Sequence, residues 1–141
     1  MKVIESAVWR DSYSVGHPLL DAQHRRLLAL CERLAVLDQQ RETRPAAERA
    51  LAIHGILHEL ADYSRVHFAA EEKLLAECGY PGLAEQQAEH GEYQEKLLDF
   101  LLRAMDSEVA TGELIAFLAK WWVDHILLSD MPYKDYLLKA Q

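Results

Sequence analysis

Four histidines and two carboxylates are spaced as the ligands of a shared metal site would be. They are His24, His67 with Glu71, His90, and His125 with Asp130. Residues four apart on an α-helix stack on one face and can approach the same ion; His67 and Glu71 are such a pair. A histidine one turn before His90 would make a pair of imidazoles, but Gln86 stands there. Glu71 and Asp130 are the candidate bridges, because a carboxylate can place one oxygen on each of two iron ions while imidazole nitrogens fill terminal positions. Asp130 follows His125 by five residues rather than four, so the helix carrying them is expected to end or bend there and turn the carboxylate inward. Each of these groups falls on an apolar stripe, where an unpaired polar group costs roughly 1–3 kcal/mol. A shared metal removes several such penalties together.

Other metal motifs fail on reading. His54 and His58 form a further pair four apart, but at about 100° per residue His58 points opposite His67 and His54 well away from it, so both should face solvent. His58-Glu59-Leu60-Ala61-Asp62 has aspartate where a His-Glu-x-x-His zinc protease needs histidine. The residues three before His67, His90 and His125 are Ser64, Gln87 and Trp122, so the Glu-x-x-His pairs of ferritin-like bundles are missing too. His17, before Pro18, has no assigned role.

The elements that must position these residues are helices. Leu20, His24, Leu27, Leu28, Cys31 and Leu34 recur at steps of three and four, which predicts a helix over Leu19–Gln39. The residues from Met1 to Pro18 form an arm expected to pack across the bundle, with Trp9 as its anchor. Thr43-Arg44-Pro45 offers a cap candidate and a proline suited to a first turn, opening a helix over Pro45–Cys78 that Gly79-Tyr80-Pro81-Gly82 stops. A third helix is expected over Leu83–Met105, and a fourth, capped by Thr111, through Leu128. Pro132 begins a short terminal helix through Leu138. Four helices with short connections and no strand signal predict an all-α, up-down-up-down four-helix bundle with an N-terminal arm and a short C-terminal helix.

The bulk numbers agree. With 141 residues, half of them hydrophobic, the chain reads as one domain over 1–141. A formal charge of −8, from 23 acidic against 15 basic residues, disfavours nucleic acid and anionic membranes as partners. The start lacks a continuous apolar segment and no stretch reaches the ~18 apolar residues of a membrane span, so a cytoplasmic location is expected. Cys31 and Cys78 lack Cys-x-x-Cys spacing and read as reduced core thiols.

Asp21-Ala22-Gln23-His24, the run from Tyr63 through His67 to Glu72, and His125-Ile126-Leu127-Leu128-Ser129-Asp130 stand in order along the chain. In these motifs it resembles the hemerythrin family, and within it the oxygen-binding bacteriohemerythrins, over nearly its whole length. The resemblance implies two iron ions joined by a solvent-derived oxygen, Glu71 and Asp130. One iron would take His24 and His67 and keep an open position for O₂. The other would take His90, His125 and whatever Gln86 offers where the family has a histidine. Tyr133 matches a tyrosine near this centre, and Trp121 and Trp122 stand where apolar residues line the O₂ pocket. Reversible O₂ binding is the implied function. A di-iron oxidase, peroxidase or nitric-oxide-reactive enzyme, or a sensor acting on an unknown protein partner, is the alternative if Gln86 alters the chemistry.

Overall fold

The computed structural model describes residues 7–104 and 108–140. Four long helices dominate: α1 (Pro18–Gln39), α2 (Ala46–Glu77), α3 (Leu83–Ala104) and α4 (Glu108–Asp124). Beyond α4 the chain passes through a π-helical turn, His125–Asp130, and a 3-10 turn, Met131–Tyr133, into α5 (Lys134–Lys139). In the bundle α1 packs against α2 and α4, and α3 packs against the same two. This is the expected up-down-up-down arrangement.

Local chemistry sets the boundaries. Pro18 opens α1 at a position where its missing N–H has no helical acceptor anyway, and Asp21 N donates to His17 O at 2.9 Å to close the first turn. α2 ends with Gly79 at φ +69°, a left-handed conformation that glycine adopts without strain. Tyr80 N then donates to Leu75 O at 3.0 Å and Gly79 N to Ala76 O at 3.2 Å, pairing carbonyls that the helix end leaves free.

Two expected caps are corrected. Thr43 does not cap α2: the residue before that helix is Pro45, whose carbonyl accepts from Arg49 N, while Thr43 Oγ1 turns back to Gln40 O at 3.4 Å. Thr111 lies inside α4, which is already helical at Glu108. The fourth helix also runs past Leu128, because its last turn widens instead of stopping. Met105 and the first six residues of the arm lie outside the described residues. In the rest of the arm Trp9 packs edge-on to Tyr13 at 5.8 Å, but Trp9 is only half-buried; Ala7, Tyr13 and Val15 are the buried residues.

The helices position the site by running between two apolar clusters. The larger holds Leu27, Leu60, Phe68, Tyr93 and Trp122; the smaller, at the other end, holds Val15, Leu20, Leu75, Tyr133 and Leu137. Between Leu20 and Leu27 stands His24, and between Phe68 and Leu75 stands Glu71. Gln86 and His90 separate Leu83 from Tyr93, and His125 and Asp130 separate Trp122 from Tyr133. A buried polar layer is therefore held on both sides by apolar packing, where each fully buried leucine contributes about 1.5–3 kcal/mol.

The widened turn solves the five-residue spacing. In an α-helix His125 and Asp130 would diverge by about 140°, whereas an i→i+5 turn brings residues five apart close to register. His125 Nε2 and Asp130 Oδ1 lie 3.2 Å apart, both residues buried. The carboxylate turns inward as expected, by a π turn and not by a helix end.

Candidate metal centre

Two three-donor groups form in the polar layer. His24, His67 and Glu71 offer one, and Glu71, His90 and His125 the other; within each group the donor atoms lie within 4.8 Å of one another. Glu71 belongs to both. Asp130 spans them as well, with Oδ2 3.1 Å from His24 Nε2 and Oδ1 3.2 Å from His125 Nε2. The layer thus brings together all six His, Glu and Asp residues singled out in the sequence, and all six are buried.

Their inward atoms are poor hydrogen-bond partners for each other. The four imidazole Nε2 atoms, Glu71 Oε1 and Asp130 Oδ2 are buried without a hydrogen bond among the described residues. Yet ring nitrogen and carboxylate oxygen lie as close as 2.9 Å, between His90 Nε2 and Glu71 Oε1. Imidazole nitrogens and carboxylate oxygens converging on one place without aligned hydrogen bonds suit a shared cation. The mix of imidazole and carboxylate suits first-row transition ions, iron included.

Three of the imidazoles are aimed by partners on their other nitrogen. His67 Nδ1 donates to Gln23 Oε1 at 2.7 Å, His90 Nδ1 to Glu72 Oε2 at 2.9 Å, and His125 Nδ1 to Glu89 Oε2 at 2.8 Å. Each acceptor oxygen fixes the hydrogen on Nδ1 and leaves Nε2 for the site. Sequence reasoning missed Gln23, Glu72 and Glu89. The available signal was adjacency: each lies one residue from a ligand candidate, about 100° around the helix, and so reaches the flank of a neighbouring helix. Asp21 has a different task, since its carboxylate accepts from Ser14 Oγ at 2.6 Å and Val15 N at 2.9 Å and ties the arm to α1.

Tyr133, fully buried, donates its hydroxyl to Glu71 Oε2 at 2.8 Å. Gln86 is also buried in the layer; its Nε2 donates to Asp130 Oδ1 at 2.9 Å and to Ser129 O at 3.0 Å. The two tryptophans differ. Trp122 is fully buried, its ring 5.8 Å from that of His67 and its Nε1 donating to Tyr93 Oη at 3.2 Å. Trp121, half-buried, stacks on His125 at 4.4 Å and lines a surface cavity of about 370 Å³ with Glu89 and Glu92. His54 and His58 are exposed, as their helical positions predict, and His17 sits half-buried just before α1. Cys31 is a free buried thiol, pushed up to about 12 by burial and by Glu32; Cys78 is free and half-buried against the smaller cluster.

The charges in the layer are strongly linked. Burial lowers the His24 pKa, but Asp130 and Glu71 outweigh it and raise the group to about 9. His125 likewise loses basicity to burial and regains more from Asp130 and Glu71, reaching about 10. Burial wins at His67, whose pKa is lowered. Burial would raise the two carboxylates, yet the surrounding imidazoles hold Glu71 well below its ordinary range and Asp130 below its own. At neutral pH two cationic imidazoles therefore hold the place that a metal charge would take.

A helical bundle with two imidazole–carboxylate donor groups joined by one glutamate has the donor set of a cation-binding bundle. Residues 15–137 match the family described as the hemerythrin HHE cation binding domain. A bacteriohemerythrin of Stenotrophomonas maltophilia (strain R551-3) is 32% identical over 128 residues, which span 91% of this chain and 79% of that protein. A hemerythrin-like protein of Naegleria gruberi is 33% identical over 129 residues, 92% of each chain. A crystal structure of a leucine-to-phenylalanine mutant superposes with a TM-score of 0.75 at 26% identity, covering 92% of this chain and 95% of that one. The chain belongs to the hemerythrin family. No helix among the described residues is long and apolar enough to cross a membrane.

Proposed function

We propose that the protein binds two iron ions in this layer and binds O₂ reversibly there. The observation that carries the reading is the sharing of Glu71 between two donor groups, with Asp130 spanning the same pair. His24 and His67 would hold one ion, and His90 and His125 the other, with Glu71 and Asp130 as bridges. A pair of ferrous ions supplies, when bound, two electrons and a binding position for O₂.

The residues of the chain prepare that chemistry. Gln23, Glu72 and Glu89 fix which imidazole nitrogen faces the ions, and Tyr133 holds the outer lone pair of Glu71 so that this carboxylate keeps one orientation. Phe68 stacks between His90, at 3.9 Å, and Trp122, at 5.4 Å, making a dry wall beside His67 that excludes bulk water. Tyr93 accepts from Trp122 and contacts Ser64 Oγ at 3.2 Å, so the polar groups of this wall are paired. A dry, rigid surround favours binding and release of O₂ over its further reaction with water or protons.

The test is to load the apoprotein with ferrous iron without oxygen and follow the visible spectrum as O₂ is admitted and removed. A charge-transfer band that appears with O₂ and disappears on its removal is the expected result. Immediate irreversible oxidation would overturn the carrier reading in favour of an oxidase or sensor, and failure to hold two irons would overturn the di-iron reading.

A further inference from the structure

Gln86 has an amide whose two ends are in different situations. Its nitrogen donates to two oxygens, Ser129 O and Asp130 Oδ1, neither of which can donate in return, so the amide orientation is fixed by its partners. Its oxygen, Oε1, is buried and makes no hydrogen bond among the described residues; the whole residue is 3% exposed. That places Oε1 in the same condition as the inward atoms of His24, His67, His90, His125, Glu71 and Asp130. Gln86 also stands one helical turn before His90, on the same face of α3.

We propose that Gln86 is a ligand of the ion held by His90 and His125, binding through Oε1 while Nε2 keeps Asp130 in place. This rests on the two-ion reading above. A carboxamide oxygen is a neutral donor without the basicity of imidazole, and Nε2 further draws on Asp130 Oδ1, the oxygen nearest His125. The carboxylates behind His90 and His125 work in the opposite direction by making those imidazoles stronger donors, whereas His67 is backed only by the neutral amide of Gln23. The two ion sites are therefore unequal, and a change at Gln86 acts on the uptake step of the ion held by His90 and His125.

The experiment uses Co²⁺, which binds such donors without oxygen chemistry and reports its coordination in the visible spectrum. Stepwise uptake by the apoprotein is followed by titration calorimetry and absorption for the wild type, Gln86→Leu, Gln86→Glu and Gln86→His, with thermal melts to establish that each variant folds. Leucine should leave one step unchanged and weaken the other by at least about 10-fold, no less than the loss of an outer-shell partner costs. Glutamate, which lacks the N–H clamp but supplies an oxygen, should retain that step, and histidine should tighten it. Two unchanged steps in Gln86→Leu, or equal losses in Gln86→Leu and Gln86→Glu, would overturn ligation by Gln86. If the leucine variant does not fold, Gln86→His decides: unaltered steps and spectrum overturn the proposal. Uptake of one ion by the wild type would instead overturn the two-ion reading beneath it.

Discussion

Gln23 offers a sharp test of whether the layer is built around a metal, because its hydrogen bond goes to the far side of one imidazole. Its Oε1 accepts from His67 Nδ1 at 2.7 Å, and both residues are buried, His67 fully. In Gln23→Leu the Nδ1 hydrogen loses its acceptor and has no water to turn to. Leaving such a donor unpaired costs roughly 1–3 kcal/mol. For a chain of 141 residues, with an unfolding entropy of about 2.1 cal/mol/K per residue, that is a fall in melting temperature of about 3–10 °C for the apoprotein. The ring is then free to rotate or to move its hydrogen to Nε2, the atom that must face the ion. Removing such an orienting partner typically weakens metal binding by about 10–100-fold, or roughly 1.4–2.7 kcal/mol. Competition against a chromogenic chelator measures the affinity of each step, and differential scanning calorimetry the stability. The expected pattern is a loss in both. A variant that melts lower but binds both ions as tightly as the wild type would refute the claim that Gln23 prepares His67 for metal.

Tyr133→Phe removes the hydroxyl that donates to Glu71 Oε2; it should lower apoprotein stability by about 1–3 kcal/mol yet leave uptake at two ions, and a drop to one ion would make Tyr133 more than a positioning residue. pH supplies the other prediction. His24 and His125 rise from 6.5 to about 9 and about 10, so the stability they contribute is complete below about pH 6.5 and is lost as pH rises through 9 to 10. His67, lowered by burial, works the other way and costs stability as pH falls below 6.5; Glu71 and Asp130, both lowered, add to that acid loss below about 4.5. The apoprotein should therefore be most stable near pH 6.5 in urea titrations, the loaded protein should lose the alkaline decline, and loading at pH 7 should release about two protons, seen as a buffer-dependent heat. Apoprotein stability that stays flat from pH 6.5 to 10 would contradict the linkage.

The sequence carried the bundle and the six ligand candidates because helical periodicity reports which residues share a face. Leu20, His24 and Leu27 on α1, or His67, Glu71 and Leu75 on α2, occupy one stripe whatever the neighbouring helices do. The orienting groups were hidden for the converse reason. Glu72 and Glu89 look like solvent-facing charges beside a ligand, and only the approach of a neighbouring helix turns each toward an imidazole. The expected cap at Thr111 failed because α4 is already helical at Glu108, before that residue.

The π turn marks the place where local preference yields to the site. A five-residue interval between His125 and Asp130 has no stripe in an α-helix, so periodicity alone registers a mismatch without naming its solution. Widening one turn forgoes regular α-helical hydrogen bonding, and such turns are rare enough that packing must repay them. Here the repayment is visible in the same few residues. Asp130 reaches Gln86 and lies beside His24 and His125, Ser129 O receives the other Gln86 hydrogen, and Ser129 Oγ donates at 2.6 Å to Glu89, the carboxylate behind His125. The turn, the amide and the orienting carboxylate form one connected unit on the His125 side of the layer. A change in any one of them should therefore be felt first at the ion held by His90 and His125, and only weakly at the ion held by His24 and His67.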